Sequence, residues 1–100
     1  MVFYRKYNTA THLYVVLVKR GVADFAVSAD WTPAAGDVKV SKDGGAAANI
    51  GTLPTAITMG NTAIWDFPIA SGEVSAAKTI ITVSDSSTKA IEDQCLIIET

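Results

Sequence analysis

The feature that most constrains the fold of this chain is a series of short β-prone segments, separated by turn residues at intervals of roughly 8–12 positions. Clusters of Gly, Pro, Asp, Asn and Ser lie between the segments, and Asp43-Gly44 within "KDGG" is a strong hairpin signal. Such spacing is typical of a small β-sandwich or barrel. We therefore predict an all-β, antiparallel fold of about seven strands. The clearest strands are expected at residues 11–19, 37–41, 62–70, 79–84 and 91–99.

Side-chain alternation predicts part of the core. Trp65, Phe67 and Ile69 share one face of a strand and are expected to be buried together. Segment 11–19 is apolar on both faces, which indicates either a central strand or an interface. Residues 22–31 also alternate between apolar and polar side chains, so we expect a further strand there.

The remaining segments are predicted at edges and crossings. Residues 46–50 lack bulky side chains, and residues 52–60 contain Pro54, so both are expected at sheet edges or in connections. The one helix-compatible stretch begins at Ser71, a candidate N-cap, and Glu73 suits a first helical turn. We predict a single turn there that crosses between two sheets.

The composition suggests that apolar surface is covered by neighbours. The chain has 100 residues, enough for one domain, and 49% of them are hydrophobic. Only 18% are charged, against about 25% in typical domains. The apolar surplus fills either a dense core or a permanent interface, since obligate interfaces resemble a domain core. We favour the interface and expect a homo-oligomer or many copies in a larger assembly.

The charge pattern argues against nucleic-acid and membrane partners. The net charge is −2, and the cationic residues cluster only as two short pairs, Arg5-Lys6 and Lys19-Arg20. The longest apolar run, residues 13–18, is far below the roughly 20 residues that span a bilayer. The N-terminus lacks the apolar segment of a signal peptide. We therefore expect the protein to be made and assembled in the cytoplasm.

No pattern of residues indicates catalysis or a cofactor. His12 is the single histidine and Cys95 the single cysteine, whereas a zinc site needs at least three protein ligands. Cys95 lies in a strand-like segment and is expected to be buried and inert. Glu92 and Asp93 are adjacent, so they point to opposite faces of a strand, and the Asp43 turn lacks the oxygen-rich alternation of a calcium loop. We predict no catalytic, cofactor-binding or metal-binding residues, and hence no enzyme.

The N-terminal residues 1–10 are interpreted as an arm or edge strand preceding a single domain at residues 11–100. Their aromatic side chains are costly to leave in water, so they either close the end of the sandwich or lie on a neighbouring subunit. On the second interpretation, the contact residues would be in this arm and on the outward face of the first strand. The candidate interface residues are Phe3, Tyr4, Arg5, Tyr7, Tyr14 and Val16.

Trp31 is a weaker candidate for stacking on a glycan. It follows a β-prone segment and precedes a turn containing Pro33 and Gly36, a position that is often partly exposed. The alternative, which we prefer, is that Trp31 and Trp65 fill the ends of the core.

Three stretches of the chain resemble a family of small Ig-like β-sandwich proteins and modules of tailed bacteriophages. They are the strand and hairpin "DVKVSKDGG", the strand and crossing "WDFPIASGEVSA", and the run "DSSTKAIED". The similarity extends over nearly the whole chain from about residue 11.

The resemblance implies an Ig-like antiparallel sandwich and a non-enzymatic structural role in the virion. The first expectation is a capsid decoration or cement subunit that binds neighbouring capsid proteins. The alternatives are a neck, tail or baseplate adaptor, or a carbohydrate-binding module for attachment to the host surface.

Overall fold

The computed structural model describes all of residues 1–100, which form eight β-strands and one single-turn 3₁₀ helix at Ser71–Val74. The predicted all-β architecture is confirmed, with eight strands in place of about seven. The strands are β1 (Val2–Tyr4), β2 (Thr11–Val15), β3 (Val38–Lys42), β4 (Ala48–Asn49), β5 (Thr55–Met59), β6 (Thr62–Ile69), β7 (Lys78–Val83) and β8 (Gln94–Glu99).

The strands form two sheets, one five-stranded in the order β1-β8-β7-β3-β4 and one three-stranded in the order β2-β6-β5. All neighbours are antiparallel except β1 and β8, which are parallel. In immunoglobulin nomenclature β2 and β3 correspond to strands B and C, β4 to C′, and β5 to β8 to strands D to G. The two sheets then have the orders G-F-C-C′ and B-E-D, as in an immunoglobulin sandwich. The inter-sheet disulfide of antibody domains is not possible here, because the chain has one cysteine.

The core lies between the two sheets and is built by strict alternation. Along β6, every second residue from Ala63 is buried, including Trp65, Phe67 and Ile69, as predicted. Their side chains pack against the inward residues of the other sheet, among them Ile81, Val83, Leu96 and Ile98.

The first long segment is apolar on both faces, but only one face enters the core. Leu13, Val15 and Leu17 are buried, whereas Tyr14 is 57% exposed. The strand ends at Val15, earlier than the predicted 11–19.

The predicted strand at residues 22–31 is wrong. The segment forms turns, with one isolated bridge between Phe25 and Val18. Ala26 is fully buried instead of Phe25, and its carbonyl accepts a hydrogen bond from Trp65 Nε1 at 3.0 Å. Within the segment, the Phe25 N–H donates to Asp24 Oδ1 and the Val27 N–H to Asp30 Oδ2, so these donors are used by local side chains and not by a strand ladder.

The predicted hairpin and crossing are confirmed, with one change. Asp43 (φ 51°) and Gly44 (φ 77°) are both left-handed, as a type I′ turn requires. The 3₁₀ turn connects β6 to β7 in the other sheet. Ser71 is not its N-cap. Ala70 occupies that position, and Glu73 Oε1 accepts a hydrogen bond from the Ala70 N–H at 2.8 Å.

Short links place the sheet edges together in pairs. Residues 5–10 connect edge strand β1 to edge strand β2, and residues 50–54 connect β4 to β5. Links this short join neighbouring edges of sheets that pack about 10 Å apart. We call these two flanks of the sandwich the β1/β2 side and the β4/β5 side.

Candidate functional site

The N-terminal residues form an edge strand of the chain's own sheet. Val2, Phe3 and Tyr4 pair in parallel with residues 97–99 of β8. Phe3 is half-buried against the core, whereas Tyr4 is 73% exposed. Residues 2–4 are therefore an edge strand of this sheet, and Val2 and Tyr4 are the residues of β1 whose side chains face outward.

Arg5 is largely engaged within the chain. Its Nε donates to Thr11 Oγ1 at 3.1 Å, joining the end of β1 to the start of β2. Its guanidinium lies 5.4 Å from the centre of the Phe3 ring, a cation–π distance. Its backbone N–H donates to the Glu99 carbonyl at 3.0 Å. Arg5 therefore fixes the β1/β2 side, and the neighbouring Tyr7 is exposed beside it.

Tyr14 and Val16 belong to the outer face of the three-stranded sheet. The Tyr14 ring stacks on His12, with ring centres 6.3 Å apart. His12 Nδ1 lies 2.9 Å from Asp66 Oδ1 on the neighbouring strand β6. Val16 is half-buried just beyond the end of β2. The outer face of this sheet thus exposes the stacked rings of His12 and Tyr14, and the contact with Asp66 positions the His12 ring.

The predicted contact residues are therefore divided between two surfaces. Tyr4 projects from the outer face of the five-stranded sheet, because its neighbour Phe3 points inward. Tyr14 projects from the outer face of the opposite sheet. Both faces meet at the β1/β2 side, where Tyr7 lies in the link. One partner can touch all three tyrosines only by wrapping around this side.

Two groups of apolar residues on the outer faces are not predicted from the sequence. On the five-stranded sheet, Val2 is 50% exposed and lies beside the half-buried Ile97, which in turn pairs with the half-buried Ile80. On the three-stranded sheet, Ile57 is 41% and Met59 50% exposed on β5. For the first group, the available signal is that the segments are apolar at consecutive positions, so one residue in two must face outward.

The predicted glycan platform at Trp31 is not present. Trp31 is only 3% exposed and packs 5.1 Å from Trp65, with the ring planes tilted by 50°. Its Nε1 donates to Asp37 Oδ2 at 3.3 Å. A buried ring has no free face on which a sugar could stack. Trp31 is therefore a core residue, as in the alternative that we prefer.

The buried carboxylate of Asp37 ties Trp31 to the loop that follows β7. Asp37 also accepts hydrogen bonds from the Ser86 N–H and hydroxyl and from the Ala34 N–H. Burial disfavours the charge and acts to raise the pKa of Asp37, but these hydrogen bonds outweigh it and the pKa is lowered.

Asp85 organises the loop between β7 and β8. Its carboxylate is 2% exposed and accepts five hydrogen bonds, from Ser87 and Thr88 through N–H and hydroxyl and from the Ala90 N–H. The Ala90 bond and the Thr88 hydroxyl bond contribute most to holding the pKa of Asp85 far below its usual value, against the effect of burial. Its oxygens are thus occupied by the loop.

The prediction that Cys95 is buried is wrong. Cys95 is exposed, because β8 turns Leu96 and Ile98 inward and leaves the alternate positions outside.

An open cleft of about 500 Å³ lies between the β3–β4 hairpin and the 3₁₀ turn. Lys42 and Glu73 are its charged lining residues. Lys42 Nζ donates to the Gly72 carbonyl at 3.2 Å, and Glu73 Oε2 accepts from the Gly51 N–H at 3.0 Å. Both charged groups therefore form hydrogen bonds with the backbone around the cleft. No three His, Cys, Asp or Glu side chains converge anywhere in the chain to hold a metal ion.

No known protein family, curated protein or solved structure matches this chain.

None of the helical structure is long and apolar enough to cross a bilayer.

Proposed function

We propose that this chain is a non-enzymatic structural subunit of a tailed-phage virion, acting as a capsid decoration or cement protein that binds neighbouring capsid proteins. The observation that carries the proposal is the exposure of three tyrosines around the β1/β2 side: Tyr4 at 73%, Tyr7 at 57% and Tyr14 at 57%. None of them is needed for the core. The phage context comes from the resemblance of the "DVKVSKDGG" and "DSSTKAIED" stretches.

Exposed tyrosines support association because of their chemistry. A tyrosine side chain offers a large apolar surface and one polar group at little cost in side-chain entropy, and it is enriched in the buried centres of interfaces. Here Tyr4 adjoins the apolar row of Val2, Ile97 and Ile80 on the five-stranded sheet. An apolar centre next to the Lys78–Glu99 ion pair, with N–O separation 3.5 Å, has the arrangement of a protein contact with a polar rim.

The mechanism is association without covalent chemistry. Each subunit covers a junction between capsid proteins, and many symmetric copies add avidity to a modest individual contact. The subunit is assembled in the host cytoplasm and resides in the virion. A neck, tail or baseplate adaptor would use the same surfaces at a lower copy number.

Copy number per particle tests the proposal and separates these locations. Quantitative mass spectrometry of purified virions would compare this chain with the major capsid protein. Hundreds of copies are expected for a shell-bound cement protein. A small multiple of three or six would place the chain in the neck or tail. Absence from the particle would refute the virion role.

A binding experiment tests the contact surface. Tyr4→Glu places a charge in the proposed contact but leaves the core intact, because the ring is 73% exposed. The variant is expected to lose rebinding to particles stripped of the protein. Val22→Glu is the matched control, since Val22 is 52% exposed in the turn after Arg20 and lies outside the proposed surface. Equal loss of binding in both variants would contradict the assignment.

A further inference from the structure

We propose that two copies of this chain pair through strand β5, joining their three-stranded sheets into one continuous six-stranded sheet about a two-fold axis at Ile57. The proposal names the edge that carries the self-association expected from the composition. It does not depend on whether the partner surface at Tyr4 binds a capsid.

The first observation is that β5 is an unprotected edge. It is a five-residue strand, Thr55–Met59, paired only with β6. An open edge presents unpaired N–H and C=O groups, and proteins usually protect such edges with charges, proline, bulges or very short strands. β5 contains none of these, whereas β4 is two residues long and β1 three.

The second observation is the absence of charge from the chain segment that contains β4 and β5. Residues 44–65 include no acidic, basic or histidine residue. The nearest carboxylates are Glu73, which accepts from the Gly51 N–H in the link, and Asp66 on β6, which is paired with Thr55. Two copies can therefore pair along β5 without charged side chains on the pairing strands themselves. The β1/β2 side carries Arg5 and Lys6, so the same approach there would bring cations together. Charge thus favours β5 as the self-pairing edge.

The hairpin to β6 determines which backbone groups are free. Gly60-Asn61 forms a two-residue turn, so the flanking Met59 and Thr62 are the first hydrogen-bonded pair. By alternation, Ala56 and Thr58 direct their N–H and C=O groups away from β6. An antiparallel copy uses all of them when Ala56 pairs with Thr58 of the second copy and Thr58 with Ala56. The axis then passes through Ile57.

This register also brings apolar side chains together. Ile57 of each copy lies in a non-hydrogen-bonded pair, where Cα atoms are about 4.5 Å apart. Its side chain is 41% exposed in the single chain, and Met59 is 50% exposed on the same face. In the pair, Ile57 is covered by Ile57 of the second copy, and Met59 is covered by Thr55 of the second copy. The exposed apolar surface is thereby partly buried.

The size of the contact sets the expected strength. A five-residue strand is about 17 Å long, so pairing along its edge alone covers much less area than the roughly 800 Å² per partner of a standard interface. The dimer is therefore expected to be weak and to form at high protein concentration, or on a surface that holds many copies close together.

Disulfide trapping tests the register. In a Cys95→Ser background, Ile57→Cys is expected to cross-link two copies under oxidised glutathione, because about 4.5 Å between Cα atoms suits a disulfide. Met59→Cys is the matched control. The two Met59 positions would lie about 14 Å apart and should not cross-link. Cross-linking of both variants, of Met59→Cys alone or of neither would overturn the proposed pairing.

A second measurement uses the unmodified chain. Sedimentation velocity over a wide range of concentration is expected to show a monomer–dimer equilibrium that Ile57→Lys abolishes and Val22→Lys leaves unchanged. Unaltered dimerisation in Ile57→Lys would refute the proposal. Virion copy number is independent of this result, so failure of the pairing and failure of the virion role can be told apart.

Discussion

Replacing Asp85 with asparagine tests whether one buried carboxylate holds the β7–β8 loop. The substitution keeps the size of the side chain and one acceptor oxygen. The amide NH₂ would replace one oxygen. The less costly orientation places it at Oδ2, which now accepts from the Thr88 hydroxyl at 2.7 Å and the Ala90 N–H at 2.9 Å, because Oδ1 accepts from two backbone N–H groups, those of Ser87 and Thr88. The Thr88 hydroxyl can rotate to become an acceptor. The Ala90 N–H cannot, so it would lose its partner.

The expected cost follows from these contacts. A hydrogen bond to a charged group contributes about 1.5–3 kcal/mol, and a buried donor left without a partner costs about 1–3 kcal/mol. These terms overlap, so we expect Asp85→Asn to lower the free energy of unfolding by about 3 kcal/mol at neutral pH. At a typical slope of about 2 kcal/mol per molar urea, the unfolding midpoint would fall by about 1.5 M.

Urea unfolding followed by tryptophan fluorescence measures this change, because Trp31 and Trp65 are both buried. Asp93→Asn is the control, since that carboxylate is exposed and paired with Arg20 at the surface. Its midpoint should stay close to wild type. A free energy of unfolding for Asp85→Asn within about 0.5 kcal/mol of wild type would refute the claim that this carboxylate organises the loop.

The pH dependence provides a second test of Asp85. Its pKa is lower in the folded chain than in the unfolded chain, where aspartate titrates near about 3.9. Its stabilising contribution is therefore fully present above the unfolded pKa and is lost as pH falls toward the folded pKa. Wild type should lose stability below about pH 5, and Asp85→Asn should show a shallower decline. Equal slopes would contradict the assignment.

Three further changes probe local features. Gly60→Ala should destabilise by about 1 kcal/mol, because Gly60 has φ +66°, whereas Gly72→Ala, without a positive φ and with open space around it, should have little effect in the same urea assay. Trp65→Phe removes the hydrogen bond to the buried Ala26 carbonyl and leaves a cavity, so thermal unfolding should show a loss of about 2–3 kcal/mol; an unchanged melting temperature would count against that bond. Cys95 should react with a thiol reagent in the native protein without denaturant, and protection until unfolding would contradict its exposure.

The inner faces of the strands could be predicted from the sequence because alternation has a period of two. Trp65 and Phe67 were assigned correctly, since their neighbours Asp66 and Pro68 favour the other face. The segment at residues 22–31 has the same alternation but forms turns. Asp24 and Asp30 there accept hydrogen bonds from nearby backbone N–H groups. In addition, the carbonyl of the buried Ala26 accepts from Trp65 Nε1, 39 positions away. A local pattern does not contain that contact.

Trp31 shows how a long-range polar contact changes the interpretation of a candidate site. Its position before a Pro- and Gly-containing turn suggested partial exposure. The buried Asp37 accepts its Nε1–H and also binds Ser86, which is 49 positions away from Asp37. The Asp37 carboxylate thereby holds the ring inside. An aspartate shortly after a tryptophan is too common a pattern to predict such a contact.

Outer faces are harder to predict than cores in a sandwich of this kind, because several strands are apolar at consecutive positions. In β8, residues 95–98 are all apolar, so either Cys95 and Ile97 or Leu96 and Ile98 could face the core. The pairing of Phe3 with Ile98 and of Ile81 with Leu96 decides it, and Ile97 is left facing outward. Which of the two sets faces the core is decided only when the two sheets assemble. The surfaces that a β-sandwich offers to partners, here the Ile97 row and the edge strand β5, therefore depend on strand pairing that local sequence does not specify.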